Sequence, residues 1–447
     1  MTLTTIPFRA AASLTALALF SSLAGCGQSP ERDQASEASL KLVQASAERQ
    51  TGDPAAIDTV VDGMDRLAGA LYAGLADDDG NLALSPYSAA AALAMTSNGA
   101  RHTTQKEMLA VLGVDDLDAL NGGLNALTQR LESLAGGVDE DGDGKPDREV
   151  ELAAANALFG QDDVTWAEPF LETLARDFGA GMRVVDFKHD ARAARRAING
   201  WTAEQTRDRI PELLGEGTLS ELTRLVLVNA LYFKAPWASE FTPSGDREFD
   251  LDGDNTVSAP MMSTSLTNAS YRADDTWQAV TVPYLGGELA MTIVLPQAGQ
   301  QGAVEQQVID GGLGAMLADD ATTAPTVDLT MPKWEFRTKA NLVPPLQQAG
   351  MARAFTSDAE FEPMAAPGTA SADRDLQIDT VLQESFIAVD EQGTEAAAAT
   401  AVEMGVRSAP MPDQPITMLC DRPFLFVIHD VEHRTPLFLG RVSDPTA

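Results

Sequence analysis

The chain has 447 residues, with 31 Lys plus Arg against 66 Asp plus Glu and a formal net charge of −35 at pH 7. Such acidity repels phosphate backbones and anionic headgroups, which argues against nucleic acid partners and peripheral binding to acidic membranes. Hydrophobic residues make up 44%, enough for a packed core and too many for an acidic disordered protein, and two cysteines exclude a disulfide framework.

Residues 10–25 (AAASLTALALFSSLAG) follow Arg9 and are mostly small or apolar. The run falls short of the ~20 apolar residues of a spanning helix and suits the hydrophobic stretch of a signal peptide. It closes on Leu23-Ala24-Gly25-Cys26-Gly27, which resembles the bacterial lipobox. That resemblance implies a signal peptide over 1–25 and a lipid on Cys26 as the mature N-terminus. It further implies the bacterial cell envelope, with the protein lipid-anchored to a membrane at the outer membrane or cell surface. A plain signal peptide cleaved nearby is the alternative. With Cys26 lipidated, Cys420 has no partner for a disulfide. Residues 27–53 are polar and lack apolar periodicity, so 26–53 is read as lipidated cysteine plus flexible linker, and 54–447 as one folded domain.

Asp53-Pro54 supplies an N-cap and a proline at the first helical position. Ile57, Val60, Val61, Met64, Leu67, Ala68, Leu71 and Leu75 follow at helical spacing. Ser85-Pro86 marks a second helix start. Strands are predicted at 152–159, 225–233, 279–283, 290–295, 381–389, 416–420, 424–429 and 436–442. Helical and strand signals alternate irregularly, which reads as α+β. The run 225–233 (LVLVNALYF) is nearly all apolar, as expected of a central strand covered on both faces. Asn229 inside it must find hydrogen-bond partners.

Asp139, Asp141, Asp143, Gly144 and Asp147 (DEDGDGKPD) reproduce most of a DxDxDG calcium loop. Val150 stands where the bidentate glutamate of a full EF-hand falls, flanked by Glu149 and Glu151. Two readings stay open, a calcium site and an acidic solvated connector. No other cofactor is required. The sequence holds no HExxH, GxSxG, Walker loop or CxxC, and its four histidines show no helix-face metal spacing. The chain is therefore read as not an enzyme.

Several blocks together resemble the serpin family, in the family's order along residues 55–445. They begin with Asn81-Leu82-Ala83-Leu84-Ser85-Pro86-Tyr87-Ser88, Asn156-Ala157-Leu158-Phe159, Ile198-Asn199-Gly200-Trp201 and LVLVNALYFKAPW at 225–237. Pro283-Tyr284, Ile293-Val294-Leu295-Pro296, Met331-Pro332-Lys333 and Gly350-Met351 come next. The last are 389–397 (VDEQGTEAA), Arg422-Pro423-Phe424-Leu425-Phe426 and Leu437-Phe438-Leu439-Gly440-Arg441. The resemblance implies a large central, mostly antiparallel sheet, smaller sheets, surrounding helices and an exposed reactive loop, here about 391–415. It also implies that Ser85, Ser88, Asn156, Asn229 and Gln383 sit under the centre of the main sheet, where it parts. Many serpins carry a histidine at the Gln383 position. A glutamine hydrogen-bonds but does not titrate, which removes this means of pH control.

Residues 391–410 read EQGTEAAAATAVEMGVRSAP. Alone, Thr394 followed by Glu395 and alanines would form an exposed helix. As a strand, one face carries Thr394, Ala396, Ala398, Thr400, Val402, Met404 and Val406, all small or apolar. The charges Glu395, Glu403 and Arg407 fall on the other face. The resemblance makes this segment a suicide-substrate loop that a protease cleaves and that then inserts into the main sheet. The thirteen residues from Thr394 to Val406 would span about 43 Å as a strand. The resemblance assigns the hinge to Glu391, Gly393, Thr394, Glu395, Ala396, Ala397, Ala398, Ala399 and Thr400. It puts the cleaved bond after the seventeenth residue from Glu391, between Arg407 and Ser408. The implied partner is a serine protease, trypsin-like because of the arginine, held in a covalent one-to-one complex. Arg-directed cysteine proteases and a non-inhibitory binding serpin are the alternatives, as is cleavage after Met404 or Met411.

Overall fold

The computed structural model describes residues 40–76, 80–138, 148–251, 255–318, 324–368, 376–395 and 414–447. The first strands are β1 (Lys41–Val43), β2 (Leu82–Leu84), β3 (Gly136–Val138), β4 (Arg148–Gln161), β5 (Met182–Val185) and β6 (Leu225–Pro236). Then come β7 (Thr242–Asp250), β8 (Thr256–Leu266), β9 (Tyr271–Ala273), β10 (Trp277–Pro283), β11 (Leu289–Pro296) and β12 (Val327–Pro332). The last are β13 (Trp334–Asn341), β14 (Thr380–Val389), β15 (Gly393–Thr394), β16 (Ile416–Leu419), β17 (Phe424–Asp430) and β18 (Pro436–Val442). The helices that matter for the site are α1 (Ile57–Leu75), α2 (Pro86–Ser97), α3 (His102–Val111), α4 (Leu117–Leu134), α5 (Glu168–Phe178) and α6 (Phe187–Gln205).

Among the described residues the strands form three sheets. The main one runs β1-β5-β4-β6-β15-β14-β13, with β3 paired to β4. A second runs β2-β18-β17-β11-β10-β9, and a third β16-β12-β8-β7. Pairing is mostly antiparallel, with β4–β5, β6–β14 and β12–β16 parallel. The fold is α+β, with helices packed around these sheets.

Strand β6 lost its alternating pattern because both faces are covered. Leu225, Leu227, Leu231 and Phe233 enter the main core. Val226, Val228 and Ala230 face Phe187, Ile198 and Trp201 of α6, together with Ile210, Leu213 and Leu214 after it. Helix α2 is buried along its whole length, and its alanines let it lie close under β4 and β6. Ser85 caps it, the Oγ accepting from Ser88 N at 3.2 Å, with Pro86 at the first position. Asp53 likewise caps a short 3-10 turn, Pro54–Ala56, that leads into α1.

The reading of 26–53 as flexible linker needs correction from residue 40 onward. Lys41, Leu42 and Val43 pair antiparallel with Val184, Arg183 and Met182 at the edge of the main sheet. Ala45 is buried. Gln50 N donates to Arg176 O at 2.8 Å, while Gln50 O accepts from Asn125 Nδ2 at 2.9 Å and Gln129 Nε2 at 2.7 Å. Arg49 reaches Glu132 at 2.9 Å, and Gly52 lies so close to α4 that a Cβ there would stand 2.0 Å from Ala126 N. The segment docks through backbone pairing, polar side chains and the alternating Val43, Ala45 and Ala47, a run too short and small to stand out in the sequence. The folded unit therefore includes residues the sequence reading gave to the linker.

Candidate functional site

The centre of the main sheet assembles four of the five residues expected there through hydrogen bonds. Gln383 on β14 grips the backbone of Ser85: its Oε1 accepts from Ser85 N at 2.9 Å and its Nε2 donates to Ser85 O at 2.9 Å. Ser88 Oγ donates to Asn156 Oδ1 on β4. Asn229 is in register with both Asn156 and Gln383. Contrary to the sequence expectation, its fully buried amide finds no hydrogen-bond partner among the described residues, neither for Nδ2 nor for Oδ1. A buried amide without a partner is costly.

Above this point the sheet parts. Residues 380–385 of β14 pair in parallel with 226–231 of β6, and the pairing stops at Ser385 and Leu231. Phe386 and Ile387 pair in the sheet only with β13, while Ala388, also paired with β13, accepts through its O from Glu395 N at 2.8 Å. At the far end, β15 sits between the separated strands, Thr394 pairing antiparallel with Ala235 on one side and Val389 on the other. Two residues at the parting carry unpaired buried oxygens, Glu384 Oε2 and Ser385 Oγ. Burial raises the Glu384 carboxyl above its ordinary range, opposed by Lys339 and Arg337.

Aromatic side chains seat the hinge. Trp237 stacks on Tyr284 at 4.5 Å between centroids, and its Nε1 donates to Asp390 O at 2.9 Å. Phe241 N donates to Glu391 O at 2.8 Å and Trp237 N to Gln392 O at 2.9 Å. Glu391 pairs with Lys333 at 3.2 Å. Gly393 is required at its position, because a Cβ would stand 2.2 Å from Ala235 O. Thr394, 1% exposed, shares a 2.6 Å hydrogen bond with the hydroxyl of Tyr284, whose ionisation burial pushes far above the ordinary range. Glu395 then turns out of the sheet with φ of 52° and meets Arg209 in an ion pair. Burial raises the Glu395 carboxyl, and Arg209 offsets part of that rise.

Cys26, Asp139, Asp141, Asp143, Asp147, Ala396, Ala397, Ala398, Ala399, Thr400, Arg407 and Ser408 lie outside the described residues. Sequence reasoning did not assign roles to Trp237, Tyr284, Arg209 or Glu384. The first two stood inside the resembling blocks. Arg209 and Glu384 carried no local signal.

The main sheet is thus parted at one end, with residues 393–394 of the chain paired in the gap. The chain belongs to the serpin family: the profile described as "Serpin (serine protease inhibitor)" matches residues 62–445. It is 36% identical over 377 residues to an uncharacterized serpin-like protein of Thermococcus kodakarensis, covering 84% of this chain and 83% of that one. It is 32% identical over 374 residues to the leukocyte elastase inhibitor of Sus scrofa, covering 82% and 93%. Among solved structures, the thermophilic serpin tengpin in its native state is similar in fold, with a TM-score of 0.74 and 24% identity over 90% of this chain and 97% of that chain.

Proposed function

We propose that this serpin inhibits trypsin-like serine proteases as a suicide substrate, by cleavage at Arg407-Ser408 and insertion of the loop into the main sheet. The observation that carries this reading is β15, whose two residues already occupy the strand position between β6 and β14 in register with both. Six residues further in the same two registers, Thr400 would stand opposite Asn229 on one side and Gln383 on the other. It would share the core-facing side of Thr394. Ala396 and Ala398 on that side would meet Phe233 and Leu231, where small side chains suit large neighbours. Insertion would thus bring a hydroxyl to the buried amide that now lacks a partner among the described residues.

Thr400→Val keeps the shape and removes that hydroxyl. The inserted form should then be less stable by about 1–3 kcal/mol. Heat denaturation of the loop-cleaved protein measures this, and an unchanged midpoint would remove Thr400 from the Asn229 site. The inhibitory reading itself is tested by mixing the wild type with trypsin. An SDS-resistant one-to-one complex is the expected product, and cleavage without complex would favour the non-inhibitory reading.

The lipobox-like segment supports a lipid anchor at Cys26 in a bacterial envelope. Cys26→Ser should leave the membrane fraction and lose the lipid mass. Recovery of the variant with the membranes would overturn the anchor.

A further inference from the structure

Six non-glycine residues among those described have left-handed backbones, and three of them, Arg207, Asp208 and Glu395, flank or belong to one ion pair, Arg209–Glu395. Arg207 and Asp208 end α6 in a tight turn, with Asp208 N donating to Ala203 O at 2.8 Å and Arg209 N to Thr206 O at 2.9 Å. That turn aims Arg209 at the gap in the sheet. Its guanidinium pairs with Glu395 and lies 5.2 Å from the centroid of the Phe386 ring, on the stretch of β14 that has lost β6. Unfavourable backbone on both sides of one ion pair marks a place where the surroundings hold the chain in position.

We propose that Arg209 is a positioning residue of the inhibitory reaction: its pair with Glu395 latches the loop at two inserted residues and links the latch to the segment covering the insertion path. The second half follows from packing. Just after Arg209, Ile210, Leu213 and Leu214 lie on Val226, Val228, Leu382 and Phe386, across the line the loop would take. Glu395 N already donates to Ala388 O at 2.8 Å, but the strand cannot extend past Glu395 while that residue keeps its left-handed turn and its grip on Arg209. In the extended register it stands opposite Lys234, which now pairs with Glu151 at 3.1 Å, and Glu151 also takes Arg207 at 3.3 Å. The carboxylate therefore meets Arg209 directly in the parked state and would face Lys234, which already attracts it from a distance, in the inserted state. Removing Arg209 disfavours only the first, which shifts the balance toward insertion. The structure also implies that release of Glu395 frees the covering segment from the hinge in the same event.

The proposal rests on the loop-inserting reading, and its test needs no protease. Uncleaved wild type, Arg209→Ala and Arg209→Lys, which keeps the cation and leaves Glu395 unchanged, are held at a temperature below unfolding. Conversion to a loop-inserted form is read as the fraction that resists a second heating step. Arg209→Ala should convert roughly tenfold faster or more than wild type, and Arg209→Lys should stay within about threefold of it. An unchanged rate in Arg209→Ala would overturn the latch, as would an equal acceleration in Arg209→Lys. Trypsin-cleaved wild type serves as the reference. If it gains no heat resistance, loop insertion fails and the latch with it. If it gains resistance while Arg209→Ala converts no faster, the latch alone fails.

Discussion

Thr394→Arg is expected to turn the protein from a trap into a substrate. Thr394 is buried, bonded to the hydroxyl of Tyr284 at 2.6 Å, and paired with Ala235 and Val389 at the entry of the gap. A guanidinium in its place would be driven against Tyr284 with no carboxylate among its described contacts. An unpaired buried cation costs several kcal/mol. Thr394 is already seated in the gap, so the variant should expel it there, and in the proposed mechanism the cost then falls on the first step of insertion, which must reseat residue 394. Deacylation does not use Thr394 and keeps its own rate. When insertion is the slower of the two, the protease is released and the loop is left cut. On SDS gels the covalent complex should fall to a small fraction of its wild-type yield while cleaved protein accumulates. A stable complex at the wild-type yield would rule out insertion through this hinge.

How much of this site could be read in advance depended on how each part leaves a trace in sequence. Strand β6 was legible because burial on both faces makes a continuous apolar run, and the predicted 225–233 falls within Leu225–Pro236. Strand β14, predicted at 381–389 and found at Thr380–Val389, showed apolar residues at both ends although Gln383, Glu384 and Ser385 interrupt the run. Strand β7 was not, since Thr242–Asp250 is exposed along most of its length and has no apolar face to show. Strand β13 was overlooked although WEFRTKAN carries a usable signal: Trp334, Phe336 and Ala340 are buried, and the residues between them are not. The docked segment at 40–53 left little signal because backbone hydrogen bonds, a salt bridge and a few small apolar contacts at Val43, Ala45 and Ala47 hold it.

The central cluster was legible only through the family resemblance. Nothing local in Ser85, Asn156 or Gln383 announces that they converge, because α2, β4 and β14 bring them together from distant parts of the chain. The latch was beyond both kinds of reading. Arg209 and Glu395 are 186 positions apart, and their meeting depends on two left-handed residues that ordinary Arg and Asp do not advertise. Gly393 lies between these cases. The family resemblance placed it in the hinge, and the close approach to Ala235 O gives the steric reason for a glycine there.

Arg407→Ala should separate recognition from trapping. Arg407 follows the small-residue strand and stands on the charged face of its pattern, so in the proposed mechanism it meets the protease and plays no part in entering the sheet. A trypsin-like pocket holds an arginine by a buried carboxylate, and losing one partner of such a pair costs about 2–5 kcal/mol. Attack by trypsin should therefore slow by about 10²-fold or more. Gly393, Thr394 and the alanines after it are unchanged, so the hinge stays competent. The variant should then trap a protease that accepts alanine at the cleaved position, such as an elastase, with a covalent complex on SDS gels. Mass spectrometry of the peptide released from the wild type should show Ser408 at its N-terminus. A peptide beginning after Met404 or Met411 would move the reactive bond, and undiminished attack on Arg407→Ala by trypsin would do the same. Loss of trapping by every protease would instead mean that position 407 serves insertion as well as recognition.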